Sequence, residues 1–226
     1  GKAEVDGSGK AEVDGGGDSP VRESNAAVTV KGDHDATIEL DGKNELKSGS
    51  KNAGLEKNDE RSEDGKTISG KLTIKDDKGK DGSLTAAGGA GAGIGGKHES
   101  GAGNIEITGG TIKAVGGEGA AGIGGGVYGT GHDIEISGGK VSAMGGDANE
   151  NLEPSRTGAA GIGDGAGTEG IGAGAGTGGE IVPDASSNPN HIIISGDAEV
   201  EARAGASNGG KTAAIGGGLV GEIPND

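Results

Sequence analysis

The sequence predicts an all-β protein, a β-solenoid of about five to six coils with glycine-rich corners, on three observations. The segment NIEITGGTIKAVGG starting at Asn104 returns as DIEISGGKVSAMGG starting at Asp133, 29 residues later. Each copy alternates apolar and polar residues, as a half-buried strand does, and then runs into glycine. The chain of 226 residues has 56 Gly, a single Tyr and neither Phe nor Trp. It therefore lacks the aromatic bulk of an ordinary core and must bury thin ladders of Ile, Val, Leu and Ala by stacking copies on one another.

The coils follow in chain order as a single domain, 1–226. Residues 1–25 are expected to be irregular or to carry two short strands, from the echo KAEVDGSGKAEVDG. Residues 26–87 form polar, degenerate coils whose apolar positions are Val28, Val30, Ile38, Leu40, Leu46 and Leu55. Residues 88–226 form the glycine-rich coils, in which three segments recur. The first, which begins at Leu72 and Ile74, turns Ile105 and Ile107, Ile134 and Ile136, then Ile192 and Ile194 inward. In the second, Leu84 and Ala86, Ile112 and Ala114, Val141 and Ala143, then Val200 and Ala202 take that role. The third is the corner: GAGIGG, AAGIGGG, AAGIGDG and TAAIGGG place Gly93 and Ile94, Gly122 and Ile123, Gly161 and Ile162, and Ile215 in one stack. Spacing also locates two insertions, at 147–156 (DANENLEPSR) and at about 166–190, which interrupt the repeat and project from it.

Composition bounds the function. A net charge of −16 disfavours nucleic acid and anionic membrane as partners, since phosphate binding needs clustered Lys and Arg. No stretch reaches the length of a membrane span, so membrane insertion by this segment is not expected. With no Cys, disulfide and thiolate chemistry are excluded. Low hydropathy and abundant glycine also fit disorder, but aligned Ile and Val ladders argue for packing, because a chain that does not pack needs no register.

Several motifs read more simply as structure. GAGIGGK, at 91–97, satisfies a dinucleotide-binding pattern but is followed by more glycine and another strand rather than by a helix. DDKGKDGSL, from Asp76, lacks the oxygen ligand at position three and the Glu at position twelve of a calcium loop. Of the four His, His132 and His191 fall near the same coil position and are expected in surface turns. Stacking brings Glu106 and Glu135 onto the outer face about 4.8 Å apart, where their repulsion is simply solvated, or a Ca²⁺ ion bridges them, or Lys113 or Lys140 screens them. Beyond that Ca²⁺, no cofactor is implied. A polysaccharide lyase needs a basic residue beside acidic metal ligands, and the chain offers four Arg, with Arg156 near Asp147, Glu150 and Glu153.

The unit AGIGGG followed by IxISGGxVxAxGG resembles the glycine-rich β-helix repeats of large surface proteins of Gram-positive gut bacteria, from about Leu72 to Gly218. The resemblance implies a right-handed parallel β-helix on an extracellular, wall-attached protein, with adhesion and carbohydrate binding as family-level functions. The expected function is therefore a noncatalytic surface module that holds a glycan or a host surface or mucosal protein. The alternatives are a passive stalk and a calcium-dependent lyase-like enzyme. The residues expected at a binding site are Tyr128, the one stacking ring, with Glu150, Glu153 and Arg156 of the first insertion.

Overall fold

The computed structural model describes residues 2–5, 11–12, 26–61, 67–79, 81–148, 158–167, 191–207 and 212–216. Among them there are twenty strands and no helix. The first coil holds β1 (Lys2–Val5), β2 (Ala11–Glu12) and β3 (Val28–Val30), and the second β4 (Ala36–Leu40), β5 (Lys43–Lys47) and β6 (Leu55–Lys57). A short antiparallel pair, β7 (Glu60–Arg61) and β8 (Thr67–Ile68), precedes the third coil, β9 (Leu72–Lys75), β10 (Ser83–Ala87) and β11 (Ile94–Gly95). Then come β12 (Ile105–Ile107), β13 (Thr111–Val115) and β14 (Ile123–Gly124), followed by β15 (Ile134–Ile136), β16 (Lys140–Met144) and β17 (Ile162–Gly163). The sixth coil is β18 (Ile192–Ile194), β19 (Glu199–Arg203) and β20 (Ile215–Gly216).

Each coil gives one strand to each of three six-stranded parallel sheets, in the orders β1-β4-β9-β12-β15-β18, β2-β5-β10-β13-β16-β19 and β3-β6-β11-β14-β17-β20. The described strands form a parallel β-solenoid of six coils. Val28 and Val30 close the first coil, whereas Ile38, Leu40, Leu46 and Leu55 belong to the second, so the degenerate region spans two coils. The β7–β8 excursion also leaves a trace in spacing. Leu55 to Leu72 covers 17 residues where Ile94 to Ile105 covers 11.

Register makes the core. On the first sheet Ile38, Ile74, Ile107, Ile136 and Ile194 are successive partners, and on the third Val28, Leu55, Ile94, Ile123, Ile162 and Ile215. Members of these columns in the second to fifth coils are no more than 2% exposed. In the last coil Ile194 is 41% and Ile215 44% exposed. Ile215 thus holds its register but not its burial, because among the described residues no strand pairs beyond β18 or β20. Asn44 interrupts the second sheet's column of Leu84, Ile112, Val141 and Val200. It is 4% exposed, and its Nδ2 donates to the carbonyls of Asp41, Gly42 and Ser83.

The corner requires glycine for a stated reason. Gly95, Gly124 and Gly163 stack with φ of 135°, 129° and 132°, and a Cβ on Gly124 would lie 2.1 Å from the carbonyl oxygen of Gly163. No other residue fits both the dihedral and the approach of the next coil.

Candidate functional site

Alternation along the first sheet turns Ile105, Ile107, Ile134 and Ile136 inward, so their neighbours face out in two columns. One column runs Lys71, Asn104, Asp133, His191, each preceding its strand, and the other Thr73, Glu106, Glu135, Ile193. Between them lies an open cleft of about 220 Å³ lined by Lys71, Asn104, Glu106, Asp133, Glu135, His191 and Ile193. Asn104 and Asp133 both take φ near 50°, at 54° and 49°, a left-handed conformation that Asn and Asp tolerate. The Asn104 Nδ2 donates to the carbonyl of Ser69, 2.8 Å away, which ties this lip of the cleft to the coil below.

The two stacked glutamates differ in their surroundings. Glu106 Oε2 accepts from the Thr73 hydroxyl at 2.9 Å and lies 3.5 Å from the Lys71 ammonium. Charge compensation therefore comes from the preceding coil rather than from Lys113 or Lys140, and Lys140 faces Glu199 at 3.4 Å. Glu135, flanked by Glu106 and Ile193, has no side-chain partner among the described residues. Ile193 breaks the polar column and is 48% exposed. The lining thus combines carboxylates, an amide, an imidazole and an ammonium with the exposed Ile193 and the buried Ile105 and Ile134.

Behind the cleft runs a buried polar staple. His132 is not a surface turn residue: its side chain is 17% exposed and its Nε2 meets Asp59 Oδ2 at 2.8 Å, while Nδ1 meets Asp133 Oδ2 at 3.0 Å. The ring reaches down past the intervening coil because Gly103 has no side chain there. A Cβ on Gly103 would fall 2.2 Å from the imidazole. Burial alone would depress the imidazole pKa, but the hydrogen bond and charge of Asp59, and then those of Asp133, outweigh it and raise it to about 9. Asp164, 2% exposed, accepts from the Gly131 N–H at 2.8 Å through Oδ1, and its Oδ2 has no hydrogen-bond partner among the described residues. Burial raises its pKa to about 7, against the pull of that N–H and of His132. Lys57, 2% exposed, donates to the Ser69 hydroxyl; burial pushes its ammonium pKa down, with Asp59 and Glu60 opposing.

The sequence-expected residues do not converge. Tyr128 sits at a corner with φ 61°, its ring edge-on to His98 at 5.8 Å, and is not among the residues lining the cleft. Glu150, Glu153 and Arg156 lie outside the described residues. Gly93, Gly122 and Gly161 each precede the third-sheet strand of their coil, as the corner reading expects. Arg203 is on the second sheet, paired with Glu201, away from the cleft. Among the described residues no three His, Asp or Glu side chains come together as a metal site.

Sequence reasoning missed Asp59, His132 and Asp164, although the repeat marks two of them. His132 stands 29 residues after Gly103, and Asp164 takes the place of Gly125 in the corner. The fold and site together define a parallel β-solenoid that presents a polar cleft on one sheet. Comparison with protein-family models, with curated proteins and with solved structures gives no match.

Proposed function

We propose that this chain is a noncatalytic binding module of an extracellular, wall-attached protein, and that it holds a glycan, or a host surface or mucosal protein through its glycans, in the cleft of the first sheet. The observation that carries the reading is the pairing of two outward columns. Asn104, Asp133, Glu135 and His191 supply donors and acceptors at strand spacing, and Ile193 supplies an apolar step beside them. Sugars present hydroxyls and C–H faces together, and a small number of placed polar groups beside an apolar surface is how such ligands are held. The cleft is open, and a shallow, wet contact suits binding more than a reaction that must exclude water.

The geometry favours presentation of a surface over spacing. Six coils stacked at about 4.8 Å each extend only about 25–30 Å. A proline-rich segment of roughly ten residues would reach as far. Per residue, the described coils gain little distance for a spacer.

The test is a screen of the native protein against N-acetyllactosamine oligomers, chitotetraose, xylotetraose and intact mucin, with and without Ca²⁺, beside the double variant Glu106→Gln/Glu135→Gln. Saturable binding that the double variant weakens at least tenfold is expected. Binding that the variant leaves unchanged moves the site off the first sheet, and a blank panel contradicts the reading.

A further inference from the structure

We infer that His132 is the positioning residue of the cleft: clamped between Asp59 and Asp133, it fixes the Asp133 carboxylate for ligand and makes binding depend on a buried proton. This rests on the binding reading above. The argument begins with what a doubly bonded imidazole requires. Both ring nitrogens of His132 face a carboxylate oxygen, Nε2 at 2.8 Å and Nδ1 at 3.0 Å. Only the imidazolium can donate at both nitrogens. On losing its proton the ring keeps one N–H and turns a lone pair toward the other carboxylate, so one contact becomes a repulsion.

Geometry decides which contact fails. Asp59 is the more enclosed partner, 15% exposed against 32% for Asp133, and its backbone N–H is held by the Gly101 carbonyl at 2.9 Å. Asp133 stands at the lip of the cleft and, among the described residues, has no other side-chain partner. The proton leaving His132 therefore frees Asp133 while the Asp59 bond persists. Clamped, Asp133 spends Oδ2 on the ring and offers Oδ1 to a ligand hydroxyl at a fixed place. Released, it must be ordered again by the ligand, which costs affinity.

The charged groups facing His132 are Asp59 after β6, Asp133 before β15 and Asp164 after β17. Lys57 in turn faces Asp59, and His191 and Glu135 flank Asp133 on the cleft side. Two carboxylates, Asp59 and Asp133, hydrogen-bond the ring and hold its proton up to about pH 9 against burial. The cleft stays competent at neutral pH and weakens above it.

The experiment measures affinity for the neutral probes N-acetyllactosamine trimer, chitotetraose and xylotetraose from pH 6 to 10.5. Their own charge does not change in that interval. Native protein, His132→Gln and Asp59→Asn are compared, and folding is followed by circular dichroism at each pH. The inference expects native affinity to fall about tenfold between pH 8 and 10 with the fold intact. It expects His132→Gln to bind about tenfold more weakly at pH 7 with a flat profile in that interval. Asp59→Asn removes one of the carboxylates that hold the proton, so the midpoint of the fall moves to lower pH. A merely structural role for His132 would not move that midpoint. Native binding with a flat profile, or an unmoved midpoint in Asp59→Asn, overturns the inference and leaves the binding reading standing. Absence of binding to all three probes and to mucin overturns both. Should His132→Gln fail to fold, the native profile and the Asp59→Asn midpoint still decide the matter.

Discussion

A single missing side chain at Gly103 lets His132 join coils that are not adjacent, and a single glycine column lets the coils approach at all. At Gly124 a methyl group would meet the Gly163 carbonyl at 2.1 Å with φ at 129°. Gly124→Ala should therefore cost about 2–4 kcal/mol in urea unfolding, the sum of left-handed strain and overpacking. Gly109→Ala, whose nearest neighbour would be the Asp76 nitrogen at 3.2 Å, should cost far less. The buried titrating groups add a pH dependence. His132 has a folded pKa of about 9 against 6.5 for the model group, so its contribution is full below pH 6.5 and is lost as pH rises through about 9. That contribution is on the order of 3 kcal/mol. Asp164 acts in the same direction at lower pH: its folded pKa of about 7 lies above 3.8, so stability declines as pH rises from 3.8 to about 7. Thermal midpoints should thus be higher at pH 6 than at pH 10, and His132→Gln should flatten the alkaline limb.

At the scale of the strand, position in the column sets the worth of a residue. Ile107 is fully buried between Ile74 and Ile136, and Ile107→Ala should cost about 2–5 kcal/mol. Ile194 occupies the same column in the last coil at 41% exposure, and Ile194→Ala should cost about 1 kcal/mol or less. Equal costs in urea titrations would contradict this dependence on burial. The strands themselves were legible in sequence, since inward residues two apart and a repeat of 29 residues leave few alternatives for register. Asn44 and Lys57 were not legible. Both are charged or polar residues in otherwise apolar columns or corners, and their burial depends on acceptors supplied by other segments: the Ser83 carbonyl for Asn44 and the Ser69 hydroxyl for Lys57. The cleft was half legible. Stacking of Thr73, Glu106 and Glu135 follows from the repeat, but Lys71 as a partner of Glu106 follows only from the diagonal geometry of adjacent strands. His132 was hidden for another reason. Its meaning lies in the absence of a side chain one coil below, which a residue-by-residue reading does not register.

For the whole molecule, stability is a sum over neighbouring coils, so coils can be removed as units. Deleting residues 104–132 joins Gly103 to Asp133 and lets β15, β16 and β17 take the registers of β12, β13 and β14. The shortened chain should keep a strand-type circular dichroism spectrum and a cooperative transition at lower urea. Collapse to an unfolded chain would contradict the solenoid bookkeeping. The central claim concerns where the molecule meets its ligand, and hydrogen exchange with and without a bound oligosaccharide tests it most directly. Protection concentrated at 104–106, 133–135 and 191–193 is the result this account predicts. Protection at the corner of Tyr128, or across 147–156, with the first sheet unchanged, would contradict it.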